Sequence, residues 1–376
     1  MLAMTLLAPA GQPVHGQPPD PAPALERAER GSAPRPLLPA NPFSSGAFHE
    51  RVRVLALAEA ALASGAAAEA RDHFERATAI LHALDAEMGM VRALMQSGEY
   101  RRALALAAHA SGAHPELGAG AALYAWLLHL GGQGSIARDI LEGAAARPNA
   151  DPWVSATRNL MRHTGSAVPP ILLRPPARFA PYSPADDGQP RRRISAGLRV
   201  GANTVLAPAA GLEYSTGVTL RDQAGNLMRA HVERIAAGTG IALLRAPESE
   251  NCAVPRVVPT RAHPGSPALS VGFDAGPDLR WPRLALGFLG RPAGLPPYPA
   301  APASGLLPGA GVWNQAGALV GFAVAGAGPA PLLVPADVLL SLGIALPTAE
   351  VPAGPRALDE IYEAAWRCTV EVLVTG

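Results

Sequence analysis

From Arg51 the chain becomes rich in Ala and Leu, with no proline before Pro115, a texture that predicts successive helices. Asp151 to His163 predicts one further helix. Past Ile194 the apolar residues come in short runs: Val218-Thr219-Leu220, Ile241-Ala242-Leu243-Leu244 and Ala268-Leu269-Ser270-Val271. Gly and Pro punctuate these runs, which is the signature of an all-β region. An amphipathic helix over 358–366 and a strand over 369–374 follow. Proline-rich stretches separate these textures: ten prolines lie between residues 9 and 45, and others cluster over 169–190 and 291–308. The boundaries that follow are a signal-like, Pro-rich leader (1–48), a helical domain (49–166) and a Pro-rich linker (167–192). A β domain (193–346) and a C-terminal helix and strand (347–376) complete the division.

The helical half repeats. Gly65, Gly98 and Gly132 are spaced 33 and 34 residues apart. Five residues after each comes an alanine (Ala70, Ala103, Ala137). A core position follows four further on (Phe74, Ala107, Leu141), and three beyond that another alanine (Ala77, Ala110, Ala144). Pro115 and Pro148 close two of the units. Glycine tolerates the tight turn between antiparallel helices, and small residues let the second helix approach the first. This pattern resembles the tetratricopeptide repeat (TPR), although the usual first-helix Trp and Tyr are weak or absent. The resemblance implies a helical-repeat, TPR-like solenoid whose concave groove binds peptides or partner proteins. Carried over, its groove positions are Glu59, Met88, Arg92, Gln96, Trp126 and His129.

Three ungapped segments of the β half resemble trypsin-like serine peptidases, especially the bacterial Deg/HtrA-type branch. Val218 to Arg245 is similar to the family's "V-T-V-x-L…D-G…A-x-V…D-L-A-L-L", with Gly240 where the triad aspartate opens the last run. Val205-Leu206-Ala207-Pro208-Ala209-Ala210 falls where "V-L-T-N-A-H" would be, which puts Ala210 at the general-base histidine. Pro308-Gly309-Ala310-Gly311-Val312-Trp313-Asn314, with Gly317 and Gly321, is similar to "S-G-G-x-x-x-N…G-x-V-V-G". That spacing puts Pro308 at the nucleophile, with Ala310 the rival. The resemblance implies an all-β double barrel following the all-α solenoid in a multidomain chain. It also implies a degenerate triad: acyl transfer needs a nucleophile, an imidazole and an orienting carboxylate, and Ala, Gly and Pro supply none. In the Deg/HtrA branch a helix and strand like 358–374 open the domain. The last strand is therefore expected either to complete this barrel or to pair with a neighbouring chain.

Composition adds limits. Net charge is +1 with every basic residue an Arg, so no polyanion-binding surface is expected; the Arg191-Arg192-Arg193 cluster reads as a solvated linker. Cys252 and Cys368 form no CxxC pair, and no His/Cys grouping has metal-ligand spacing. One disulfide between them, if the compartment is oxidising, stands beside two unrelated buried thiols. No apolar run is long enough for a membrane helix. Met1 to Ala8 has the character of a signal peptide's apolar region without a basic segment before it, with an apolar tail on a cytoplasmic protein as the alternative.

The expected function is a non-catalytic protein–protein interaction scaffold or accessory subunit in a larger bacterial envelope assembly, periplasmic or secreted. Its expected partners are proteins or peptides at the repeat groove and the barrel edge, with no nucleic acid, cofactor or metal. Two alternatives remain: a trypsin-like endopeptidase with a relocated active site drawn from His231, His263, Ser266, Asp274, Asp278 or Ser304, and a chaperone-like peptide binder.

Overall fold

The computed structural model describes residues 45–147, 152–162, 191–212, 217–249, 252–258, 263–273, 281–290, 298–299, 306–326, 331–348 and 354–375. The leader up to residue 44, most of the linker, and Asp274, Asp278 and Ser304 lie outside them.

Among the described residues, seven helices come first: α1 (Ser45–Ala63), α2 (Ala67–Ile80), α3 (Leu84–Gln96), α4 (Tyr100–Ala113), α5 (Gly118–Leu130), α6 (Gly134–Ala145) and α7 (Pro152–Arg162). The first begins at Ser45, inside the stretch expected to be leader. Helices α1/α2, α3/α4 and α5/α6 pack as hairpins, and α7 packs on α5 and α6. Each hairpin turns through a glycine at positive φ: Gly65 (82°), Gly98 (77°) and Gly132 (82°). The closing hydrogen bonds are the same each time. Ala66 N–H donates to Ala61 O, Glu99 N–H to Leu94 O and Gln133 N–H to Leu128 O, at 2.8–2.9 Å. This six-to-one bond with a left-handed residue just before it is a Schellman ending, which caps orphan helix carbonyls. The alanines and core residues at the repeated offsets are buried in all three hairpins.

The β half contains strands β1 (Arg191–Arg199), β2 (Thr204–Pro208), β3 (Val218–Arg221), β4 (Leu227–Ala236), β5 (Ile241–Arg245), β6 (Pro267–Gly272) and β7 (Arg283–Phe288). Then come β8 (Tyr298–Pro299), β9 (Gly311–Trp313), β10 (Leu319–Val324), β11 (Leu332–Pro335), helix α8 (Ala336–Ser341), helix α9 (Leu358–Cys368) and β12 (Thr369–Thr375). A closed barrel runs β1-β12-β3-β4-β5-β2, and a six-stranded sheet runs β7-β6-β9-β10-β11-β8. Strand β12 lies in the barrel of its own chain. Val372 pairs with Ser195 on one side and with Leu220 on the other. Of the two expectations for the last strand, this is the one in which it completes the barrel. Val370, Val372 and Val374 point with Val205, Leu220 and Leu244 into the barrel core.

The arginine run is also corrected. Arg191–Arg193 open β1 and pair with Thr375, Val374 and Leu373. Arg193 reaches Glu371 Oε1 at 2.9 Å, and Arg221 reaches the other oxygen of that carboxylate at 3.0 Å. A charge run looks solvated in a sequence because the acidic partner, 178 residues away, is invisible there.

Helix α9 ties the two halves together. The Tyr362 hydroxyl donates to Pro282 O (2.6 Å), Arg367 Nε to Gly98 O (2.9 Å), and Glu363 accepts from the Arg101 N–H (2.8 Å). One continuous apolar core runs from Leu84 and Trp126 in the helices to Val271, Trp313 and Phe322 in the second sheet and Trp366 in α9. A disulfide joins Cys368, at the end of α9, to Cys252, with Cα atoms 4.8 Å apart.

Candidate functional site

Of the three positions that the peptidase resemblance singles out, Gly240 and the residue after Pro308 lie against strand β10, and Ala210 adjoins Gly240. Ala210 and Gly240 sit at adjacent turns, linked by a 2.8 Å bond from the Ala209 N–H to Gly240 O. Gly240 has φ +70°, and a Cβ placed there would stand 3.6 Å from Val324 Cγ2. Gly309, next to Pro308, donates its N–H to Ala323 O (2.8 Å), and Ala323 returns an N–H to Ala310 O (2.9 Å). Gly309 also has φ +84° and lies so close to β1 that a Cβ would be 2.2 Å from Ala196 O. Only glycine satisfies both the conformation and the approach. Ala210, Gly240 and Pro308 are all exposed, so the seam between barrel and sheet opens to solvent.

The side chains at this seam hold no proton-transfer or nucleophilic group at those positions. Pro308 has no backbone N–H. The Ala310 N–H is held by Leu307 O at 3.1 Å, so neither reading of the nucleophile position leaves that residue's own N–H free to point outward. Of the residues named for a relocated site, His231 and His263 are exposed, and the Ser266 N–H closes a turn on His263 O (3.0 Å).

The expected groove residues fare differently. Met88, Arg92, Gln96 and Trp126 are buried, so they do not line an open groove. Arg92 spends its guanidinium on Glu59 (Nη1 to Oε2, 3.2 Å), and Gln96 Nε2 donates to Leu62 O (3.2 Å) and to Ala224 O (2.9 Å) in the barrel. The physical reason is that helix positions facing a groove in an isolated array are here covered by neighbouring hairpins and the β half. His129 stays partly exposed, tilted against the Trp126 ring at 5.5 Å. It lines a cleft of about 210 Å³ between α5, α6 and α7, with Arg138, Arg158, Arg162, Glu142 and Met161 around it. Three arginines against one glutamate make this cleft cationic.

A second group of chemistry-bearing residues escaped the sequence reading. His82, Glu87, His109 and His114 come together where α3 and α4 meet the loops at their ends. The signal was available as two five-residue spacings, His82 to Glu87 and His109 to His114, but it matches no familiar ligand motif. What makes it a cluster is the pairing of successive hairpins.

No family profile matches the chain, and no curated protein matches it. Solved structures do resemble it in part. The MamO protease domain from Magnetospirillum magneticum shares 18% identity over 43% of this chain and 92% of its own, with a TM-score of 0.31. A serine endoprotease from Yersinia pestis shares 15% identity over 40% of this chain and 57% of its own, TM-score 0.35. The HtrA-type protease AlgW with tripeptide shares 13% identity over 40% of this chain and 55% of its own, TM-score 0.32. The chain thus spans little more than half the length of the last two.

Proposed function

We propose that this chain is a non-catalytic protein-interaction scaffold, a tetratricopeptide-type array fused to a trypsin-like barrel that has lost its triad. What supports the reading is the seam at β10, with Ala210, Gly240 and Pro308 the residues that the sequence resemblance aligns with the general base, acid and nucleophile. None of these side chains can accept a proton or attack a carbonyl. In peptidases of this kind, losing the triad leaves about 10³–10⁴-fold over water, from binding and the oxyanion hole. That hole takes N–H donors from the nucleophile and from the residue two before it. Pro308 is one of these whichever of Pro308 and Ala310 marks the nucleophile, so a donor is missing in both alignments. Losing one costs about a further 10²–10³-fold.

Two surfaces support docking. The cationic cleft at His129, Arg138, Arg158 and Arg162 suits an acidic segment of a partner protein. Strand β7 is an edge of the second sheet, with Leu286 and Phe288 exposed on it, which suits an added strand. The Cys252–Cys368 disulfide favours an oxidising compartment such as the bacterial envelope. No helix among the described residues is long and apolar enough to cross a membrane.

The test is to treat the purified full chain with a serine-directed activity probe and a fluorogenic peptide. No labelling and no turnover above buffer are expected. Labelling that disappears on mutating a single serine would replace the scaffold with a relocated hydrolase. Retention of unfolded chains in general, in place of one folded partner from native extract, would make it a chaperone-like binder.

A further inference from the structure

We infer that His82, Glu87 and His114, with His109 beside them, form a binding site for a late first-row divalent metal ion, with zinc the ion to test. The site lies in the helical array, away from the β10 seam, and does not depend on whether the barrel is catalytic.

Glu87, in the first turn of α3, is only 2% exposed, and it faces three imidazoles in place of an arginine. His82 Nε2 lies 2.7 Å from Glu87 Oε1, His109 Nε2 3.5 Å from the same oxygen, and His114 Nε2 3.4 Å from Oε2. One donor atom each from His82, Glu87 and His114 falls within a 4.8 Å sphere of mutual distances. Around a tetrahedral zinc with bonds of about 2.0–2.1 Å, ligand atoms stand about 3.4 Å apart. The His114 distance to Oε2 matches that, the His109 distance is to the other carboxylate oxygen, and the His82 side chain, 53% exposed, has room to close the wider spacing.

Read as an ion-pair network of protonated histidines, the cluster leaves its most buried contact without a hydrogen bond. Glu87 Oε2 and His114 Nε2 face each other at ion-pair distance, 3.4 Å, both out of contact with water, and neither makes a hydrogen bond. Buried polar atoms are nearly always satisfied, so a convergent pair left over calls for an explanation such as an ion. A cation between them would use the carboxylate oxygen and the ring nitrogen as the lone-pair donors that they are. The far ring nitrogen of His114, Nδ1, lies 3.9 Å from Glu116 Oε1, on the side where metal-bound imidazoles usually meet a carboxylate. Imidazole and carboxylate together suit zinc and its late neighbours better than magnesium or calcium. The ligands come from both sides of a joint: His82 and Glu87 flank the start of α3, and His109 and His114 mark the end of α4. A bound ion would pin the α2–α3 loop to the far end of the next helix.

The experiment uses the full chain, stripped with chelator and then titrated with Zn²⁺ and Co²⁺. One zinc per chain is expected, with a tetrahedral Co²⁺ visible band that zinc abolishes and a melting temperature that rises with zinc. Glu87→Gln and His114→Asn should each weaken zinc binding at least 100-fold, and His109→Asn about tenfold. Should those variants fail to fold, the wild type supplies a second readout: zinc should protect the half-exposed His82, but not the exposed His263, from carbethoxylation mapped by peptide mass. Failure of the wild type to hold zinc at micromolar concentration overturns the proposal. So does binding that Glu87→Gln leaves unchanged, or carbethoxylation of His82 at the same rate with and without zinc.

Discussion

The ring of Tyr362 in α9 meets the ring of Tyr100 in α4 edge-on, with centroids 4.6 Å apart. Each hydroxyl is also tied down, Tyr362 to Pro282 O (2.6 Å) and Tyr100 to Leu127 O (2.8 Å). The pair joins the helical array to the segment that completes the barrel. Tyr362→Ala is expected to cost about 3–5 kcal/mol, the range for truncating a fully buried aromatic. Tyr362→Phe keeps the ring but strands the Pro282 carbonyl, and should cost about 1–2 kcal/mol. A double-mutant cycle over both tyrosines by urea unfolding should return a coupling of about 0.5–1.5 kcal/mol. Zero coupling would mean that the two rings are merely neighbours.

The same two phenols predict alkaline sensitivity. Burial pushes both their pKa values far above the ordinary 10.0. Above pH about 10 the unfolded chain releases these protons while the folded chain keeps them, so the folded state binds more protons. Their contribution is fully present below pH about 10 and is lost as pH rises beyond it. The limiting slope for two groups is about 2.7 kcal/mol per pH unit. Unfolding free energies measured from pH about 8 to about 11 should follow that fall, and the double Tyr→Phe variant should flatten it.

Glu371 is 3% exposed and sits between Arg193 and Arg221. Removing one partner of a buried pair leaves the other charge uncompensated, which costs about 3–5 kcal/mol. Both guanidiniums keep some contact with water, so Glu371→Ala should fall at the lower end of that range. Deleting residues 357–376 should do far more, because it takes out β12 between β1 and β3 and opens the barrel. A truncated chain that kept the full melting temperature and oligomeric state would mean that the barrel closes without β12.

The disulfide spans 116 residues. Removing a bridge over so long a loop costs about 2–5 kcal/mol. Cys252→Ser with Cys368→Ser should lower the unfolding free energy by that amount in oxidising buffer. Reductant should then lower the wild type to the same level and leave the double variant unchanged.

Much of the chain was legible because its signals are local. The Gly65, Gly98 and Gly132 spacing reports turns, and the alternation of short apolar runs with Gly and Pro reports strands, since both follow from backbone sterics within a few residues. The helix at 358–368 and the strand after it were also readable from their own periodicity. The candidate sites were read less well. Met88, Arg92, Gln96 and Trp126 carry groove-like spacing, yet burial depends on what lies opposite, and Ala224, opposite Gln96, is 128 residues away. The His82, Glu87, His109 and His114 cluster went unread for the same reason, since two hairpins had to pack before four side chains could meet.

By itself, then, the sequence determined the helical hairpins, the β texture and the residue types at Ala210, Gly240 and Pro308, because turn conformation and side-chain chemistry are properties of single residues. The tertiary structure decided that β12 closes its own barrel, that Cys252 reaches Cys368, that Met88, Arg92, Gln96 and Trp126 are covered, and that one buried carboxylate faces three imidazoles. Those are distances between segments far apart in the chain, and packing alone sets them.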